Sequence, residues 1–302
     1  TASFVMASML GISYTEVATA AIFPILTYYL CVLFAVDFYA AKKGLHGLSK
    51  EEIPKMRDTV KTGWFFVPTI ALLIFYIFVL RQVPKAALWA SLCAFVLTQL
   101  NKNSRLSWRQ IADMILGIGK NCMEVIGVMM GVGFIMGSFS MTGLGVSFPH
   151  EVYVLAGGNV ILLVFLTAFA SLLMGMTTIC CYIFLAVTIA PALTEAGLDL
   201  MSVHMFLLYC GMLSYITPPV AVATIPAAML SGGDAMKIGL NACRLGATLF
   251  VVPFLFVANP SLLLRGDSVM FTVKSMLIVV LAVFVMTQAL ENYILGIGPV
   301  QM

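Results

Sequence analysis

A chain of 302 residues that is 62% hydrophobic and only 10% charged, with a mean hydropathy of +1.06, carries more apolar surface than a soluble domain can bury. It is therefore expected to be an integral membrane protein. Long apolar runs broken by Gly and Pro point to helices rather than a barrel of short alternating strands. The net charge of +3 lies mostly in connecting loops and leaves no footprint for nucleic acid, and there is no Walker A sequence to make the chain an ATPase. The seven cysteines lie in apolar runs without a CxxC pair, so they read as small core residues, and no cofactor is expected.

In chain order, residues 1–10 form an apolar stretch that ends at Gly11 and reads as a fragment beginning inside a helix. Residues 15–41 exceed the roughly 20 needed to cross a bilayer, and Asp37, Lys42 and Lys43 mark the exit into water. A hydrophilic loop follows at 42–62, with a surface helix expected after Ser49, where Ser49-Lys50-Glu51-Glu52 makes a capping box. Spans are expected at 64–80, 86–100 and 111–139. Two crossings separate the loops 42–61 and 101–110, so they share one side, and their nine basic residues make that side the cytoplasm. Trp64, Trp89 and Trp108 stand near segment ends, as interfacial anchors or packing residues. In the Gly-rich run 111–139, Gly127/Gly131 or Gly133/Gly137 could form a close-packing seam. Lys120 and Glu124, four residues apart, are either a buried ion pair or a pair near the cytoplasmic end with Lys120 reaching the interface.

Residues 159–174 and 179–196 are two short apolar segments separated by Gly175-Met176-Thr177-Thr178. One continuous helix over 159–196 would be about 57 Å long against a hydrocarbon core of about 30 Å, so a re-entrant hairpin with its tip at 175–178 is expected. Residues 201–213 then enter the membrane and meet Ser214-Tyr215-Ile216-Thr217-Pro218-Pro219. Two consecutive prolines remove two backbone donors and disfavour helical geometry before each, which frees carbonyls from the helix ladder. Irregular backbone at membrane depth is tolerated where it is buried in protein or lines an aqueous cavity. Residues 221–230 complete the crossing up to Gly232-Gly233. Asp234 caps a helix to Ala258 that Pro253 should kink, Asn259-Pro260 ends it, and 269–289 is a last span with a short polar tail.

Ala2, Ala7 and Gly11 stand at one common offset from Ala223, Ala228 and Gly232. On that echo, 1–10 is the second half of an earlier broken helix, and the chain is part of an inverted-repeat transporter. The expected organisation is 1–41 as the end of a first repeat, 42–62 as a cytoplasmic amphipathic loop and 63–140 as further spans. Residues 141–258 comprise the hairpin 159–196, the broken helix 201–231 and the helix 234–258. A loop, last span and tail occupy 259–302.

Gly175-Met176-Thr177-Thr178-Ile179-Cys180-Cys181-Tyr182-Ile183, Ala190-Pro191-Ala192-Leu193 and Leu213-Ser214-Tyr215-Ile216-Thr217-Pro218-Pro219-Val220-Ala221 together resemble the fused membrane subunit of TRAP (tripartite ATP-independent periplasmic) transporters. With Ala258-Asn259-Pro260-Ser261-Leu262-Leu263-Leu264, Phe38-Tyr39-Ala40 and Gly44-Leu45-His46-Gly47-Leu48, the chain is similar to the branch that works with TAXI-type binding proteins. The resemblance implies an all-α elevator-type secondary transporter of the bacterial inner membrane. It would be driven by Na+ or H+ and take an organic acid or similar small solute from a periplasmic TAXI-type substrate-binding protein. It places the hairpin tip at Gly175 to Thr178 and the break at Ser214 to Pro219, makes 63–140 scaffold spans and 141–258 a transport region, and implies a missing N-terminal half of the same permease. In the family the tip usually reads Gly-Met-Gly-Leu-Pro-Thr-Thr, so the tip here is shorter.

The expected substrate and cation site is thus Gly175, Met176, Thr177, Thr178, Ser214, Tyr215, Ile216, Thr217, Pro218 and Pro219. Na+ would be held by Ser214, Thr217 and Thr177 together with backbone carbonyls at 214–217. Neutral oxygens suit a weakly bound hard ion, and half-helix termini favour an anionic solute. Two rivals stand beside it. One is a non-transporting or degenerate membrane scaffold subunit, and the other an intramembrane enzyme, which would need Glu124 or His204 to find a catalytic partner. The bland reading of Pro218-Pro219 itself is a mere kink in a scaffold helix.

Overall fold

A computed structural model describes residues 2–45, 47, 60, 63–64, 66–80, 82–100, 105–174, 178–218, 221, 223–266, 268–295 and 297–299. The expected surface helix after Ser49 lies outside them. The chain divides into two compact units, one of Thr1–Ile12, Glu16–Leu45 and Met130–Met302, the other of Ser13–Thr15 and His46–Met129.

Helix α1 (Ala2–Leu10) stops at Gly11, whose φ of +66° is open to glycine at no steric cost, and α2 (Tyr14–Lys43) follows. In the second unit α3 (Phe66–Ile74) runs on into a π-helical turn at Phe75–Val79 and packs against α4 (Val83–Leu100). The carbonyl of Ile77 in that turn accepts from the Thr15 hydroxyl at 3.4 Å, one way of satisfying a polar group that a π turn shifts out of register. Helix α5 (Trp108–Thr142) opens with a reciprocal capping box: Ser107 N–H donates to Gln110 Oε1 at 2.8 Å and Gln110 N–H to Ser107 Oγ at 3.4 Å. A Cβ placed on Gly127, Gly131, Gly133 or Gly137 would meet nothing within 4 Å, so the expected seam has no packing partner among the described residues. The Glu124 side chain lies outside them, and Lys120 is exposed.

No span is expected from the sequence over residues 144–155, where Pro149 and His150 stand. The segment forms helix α6 (Leu144–Leu155), set between Gly143 at φ +73° and Gly157 and Gly158 at +64° and +72°. Next come α7 (Val160–Met174), α8 (Thr178–Thr188) and α9 (Ala190–Glu195). Leu163 and Ile189 line the same cavity of about 320 Å³. A straight helix would hold them about 39 Å apart, so the chain turns back on itself between α7 and α8.

Helix α10 (Leu200–Leu213) is the centre of this unit. The next elements are α11 (Thr224–Ser231), α12 (Ala235–Leu245), α13 (Thr248–Ala258), a 3-10 turn at Pro260–Leu263 and α14 (Val269–Glu291). The 234–258 helix is interrupted at Gly246–Ala247 and not at Pro253, because Leu249 and Phe250 N–H reach back only three residues, to the carbonyls of Gly246 and Ala247. After α14 the chain closes in a two-residue antiparallel ladder, Tyr293–Ile294 with Gly298–Pro299, the one strand pairing among the described residues.

Three helical stretches among the described residues are long and apolar enough to cross a membrane: Tyr14–Lys43, Ala235–Ala258 and Val269–Glu291. They leave large apolar side chains outward, including Leu26, Leu33, Ile278 and Leu281, a pattern that belongs in hydrocarbon.

Candidate functional site

The site is built on α10. Asp199 caps it by accepting from Ser202 N–H at 2.9 Å, and every residue from Met201 to Gly211 is buried. A helix apolar on all faces has no solvent side, and α10 is surrounded accordingly by α7, α8, α9 and α13. Its closest neighbour is α8. A Cβ at Gly211 would lie 3.0 Å from the Thr178 carbonyl oxygen and 3.4 Å from Thr178 Cα, so the crossing requires glycine.

Two expected site residues meet at that crossing. Thr178 Oγ1 donates to the Gly211 carbonyl at 3.1 Å, and Ser214 Oγ donates to the same oxygen at 2.8 Å. One carbonyl therefore joins the start of α8 to the start of the break. Gly175, Met176, Thr177 and Pro219 lie outside the described residues.

The break between α10 and α11 is irregular, as the two prolines require, but the carbonyls of Tyr215, Ile216 and Thr217 are not left free. Tyr215 O accepts from Ala223 N–H at 3.0 Å, Ile216 O from the Cys243 thiol at 3.3 Å and Thr217 O from Ala221 N–H at 3.0 Å. Thr217 Oγ1 donates to Leu213 O at 2.7 Å. Each carbonyl and hydroxyl oxygen that has one partner keeps a lone pair for a ligand. Ala221 sits at φ +34°, outside the usual range of L-residues, so the loop carries some backbone strain.

Helix α12 is the seat of the break. Pro218 lies where a Cβ on Gly239 would be, 2.8 Å from its Cγ, and the Ile216 side chain comes within 3.1 Å of the Cβ position of Gly246. Gly239, Cys243 and Gly246 follow the i, i+4, i+7 spacing of one helix face, and their small size lets the break approach closely. That spacing was readable in the sequence and was not read.

His204 has a partner, which the sequence had not revealed. Tyr182 on α8 places its hydroxyl 2.9 Å from His204 Nδ1, with both side chains buried. The bond ties α8 to α10 in the interior. Tyr182→Phe keeps the ring and strands the imidazole nitrogen, so it is expected to cost about 1–3 kcal/mol. Thermal unfolding in a fixed detergent checks this, and an unchanged midpoint would discard the bond as a stabilising contact.

The chain matches a family model described as "Tripartite ATP-independent periplasmic transporter, DctM component" over residues 1–271. No curated protein matches it at a significant level. A transporter component of this kind implies a periplasmic binding protein as partner and a small solute as cargo. The apolar helices and this match agree, and the chain belongs to the DctM family, the membrane permease component of TRAP transporters.

Proposed function

We propose that this chain supplies one half of the translocation site of a permease for an organic acid or similar small anion. The permease is driven by a Na+ or H+ gradient and fed by a TAXI-type periplasmic binding protein at the bacterial inner membrane. The observation that carries the reading is the Gly211 carbonyl, which gathers the hydroxyls of Thr178 and Ser214 at the point where α10 breaks. Carbonyls and hydroxyls from the break and from the Gly175–Thr178 tip form a neutral-oxygen cation site, and the solute sits beside it.

The inverted repeat has support of its own. Helix α1 ends at Gly11 with φ +66°, and α11 ends at Gly232 with φ +68°, two short helices closed by the same left-handed cap. Helix α1 also packs against α8 and α10, where the second half of a first broken helix would be needed. In this reading α1 is that second half, and an upstream hairpin and break complete the site.

Uptake by the full-length permease with its binding protein, reconstituted in proteoliposomes, tests the proposal. Transport should require the binding protein and collapse when the cation gradient is removed. Thr217→Ala with Ser214→Ala should raise the cation concentration for half-maximal uptake roughly tenfold, the equivalent of about 1.4 kcal/mol. An unchanged cation dependence in that variant would remove these hydroxyls from the site.

A further inference from the structure

Away from the break, α2, α12 and α14 meet around a charge that is costly to bury. Glu291 is the last residue of α14, so its side chain sits at the negative end of the helix dipole, and it is only 1% exposed. Arg244 Nε lies 3.3 Å from its Oε1, and Lys42 Nζ donates to the Glu291 carbonyl at 3.0 Å. The pairing uses the Nε edge of the guanidinium alone. The Arg244 side chain is 37% exposed, and its terminal amino groups have no partner among the described residues.

Arg244 also lines a cavity of about 230 Å³, together with Val36, Tyr39, Asn241 and Leu245. Cys31 donates to the Leu245 carbonyl at 3.5 Å while Tyr39 and Asn241 share the cavity wall, so α2 and α12 pass antiparallel here. Along α2 the outer wall runs from exposed Leu33 and Val36 to Tyr39 and then to Lys42 and Lys43. Apolar, aromatic and basic residues in that order match the edge of a lipid leaflet, from acyl chain to headgroup. The charged residues within four positions of the cavity lining, or paired with it, are Lys42, Lys43, Lys237 and Arg244 against Asp37 and Glu291, a surplus of positive charge.

We infer that this cavity binds one anionic phospholipid. Its phosphate is held by Arg244 with Asn241 and Tyr39, and an acyl chain lies along Val36 and Leu33. A guanidinium offers two parallel N–H groups to phosphate oxygens, and basic pockets between membrane helices hold such headgroups. The apolar wall continuing out of the cavity favours a lipid over a free anion. Once bound, the phosphate completes the coordination of Arg244 and clamps α2 to α12.

The test uses the whole purified protein in detergent, titrated with phosphatidylglycerol, phosphatidylcholine or inorganic phosphate. Thermal unfolding is followed, and native mass spectrometry counts retained lipid. Phosphatidylglycerol should raise the midpoint saturably and remain bound as a single copy, with neither effect from the other two. Removing Arg244 would strand Glu291, so the variant of choice is Tyr39→Phe with Asn241→Leu, which leaves the ion pair in place. Its apparent affinity for phosphatidylglycerol should fall at least tenfold. An equal rise with phosphatidylcholine, a full rise with phosphate alone, or an unchanged affinity in the double variant overturns the site.

Discussion

Arg244→Ala is expected to lower the stability of the protein by about 3 kcal/mol, the low end of the range for breaking a buried ion pair. The size comes from the stranded partner. Glu291 is 1% exposed and faces the negative end of α14, so nothing else on its own helix offsets its charge. The open edge of Arg244 lets some water reach the vacated space, which is why the low end applies. Replacing both residues with Met removes the charge together with its counter-charge and should restore most of the loss. Unfolding of the two single variants and the double variant in one detergent gives the coupling directly. A single-variant loss below about 0.5 kcal/mol, the scale of ordinary surface substitutions, would show that the pair is too hydrated to matter.

Gly211→Val should reduce uptake more than tenfold and destabilise the protein by about 1–3 kcal/mol, as overpacking of a filled interior does. The new Cβ would stand 3.0 Å from a backbone oxygen of α8, which cannot swing aside as a side-chain tip can. Helix α10 would have to back away, and the Thr178–Gly211 bond would lengthen with it. Gly127→Ala and Gly131→Ala serve as controls, since a Cβ at either position meets nothing within 4 Å. They should be neutral or slightly stabilising through helix propensity. Normal uptake by Gly211→Val would mean that the contact between α8 and α10 is not needed for transport.

How much of this could be read in advance depended on the range of the interaction. The break at 214–219 was legible because two prolines and two hydroxyls interrupt an apolar run, a purely local signal. The long helices at Tyr14–Lys43 and Val269–Glu291 were legible from hydropathy alone. Helix α6 was hidden because Pro149, His150 and the flanking glycines look like a connection. Because α10 is apolar on every face, its periodicity says nothing about which neighbour it meets, and the Tyr182–His204 bond had no signature. The Arg244–Glu291 pair was hidden for the same reason. A lone Arg on an amphipathic helix and a Glu at a helix end carry no mark of each other until α12 and α14 are folded together.

The carbonyls of Tyr215, Ile216 and Thr217 in the break hold donors already, from Ala223, Cys243 and Ala221. Those three carbonyls are held in place before any ligand arrives. An arriving cation would use the second lone pairs of oxygens already in place, and the main cost of loading would be stripping water from the ion rather than rebuilding the protein. Discrimination between ions in the proposed site would then follow their hydration free energies, and exchange would be fast because little has to close behind the ion or reopen to release it.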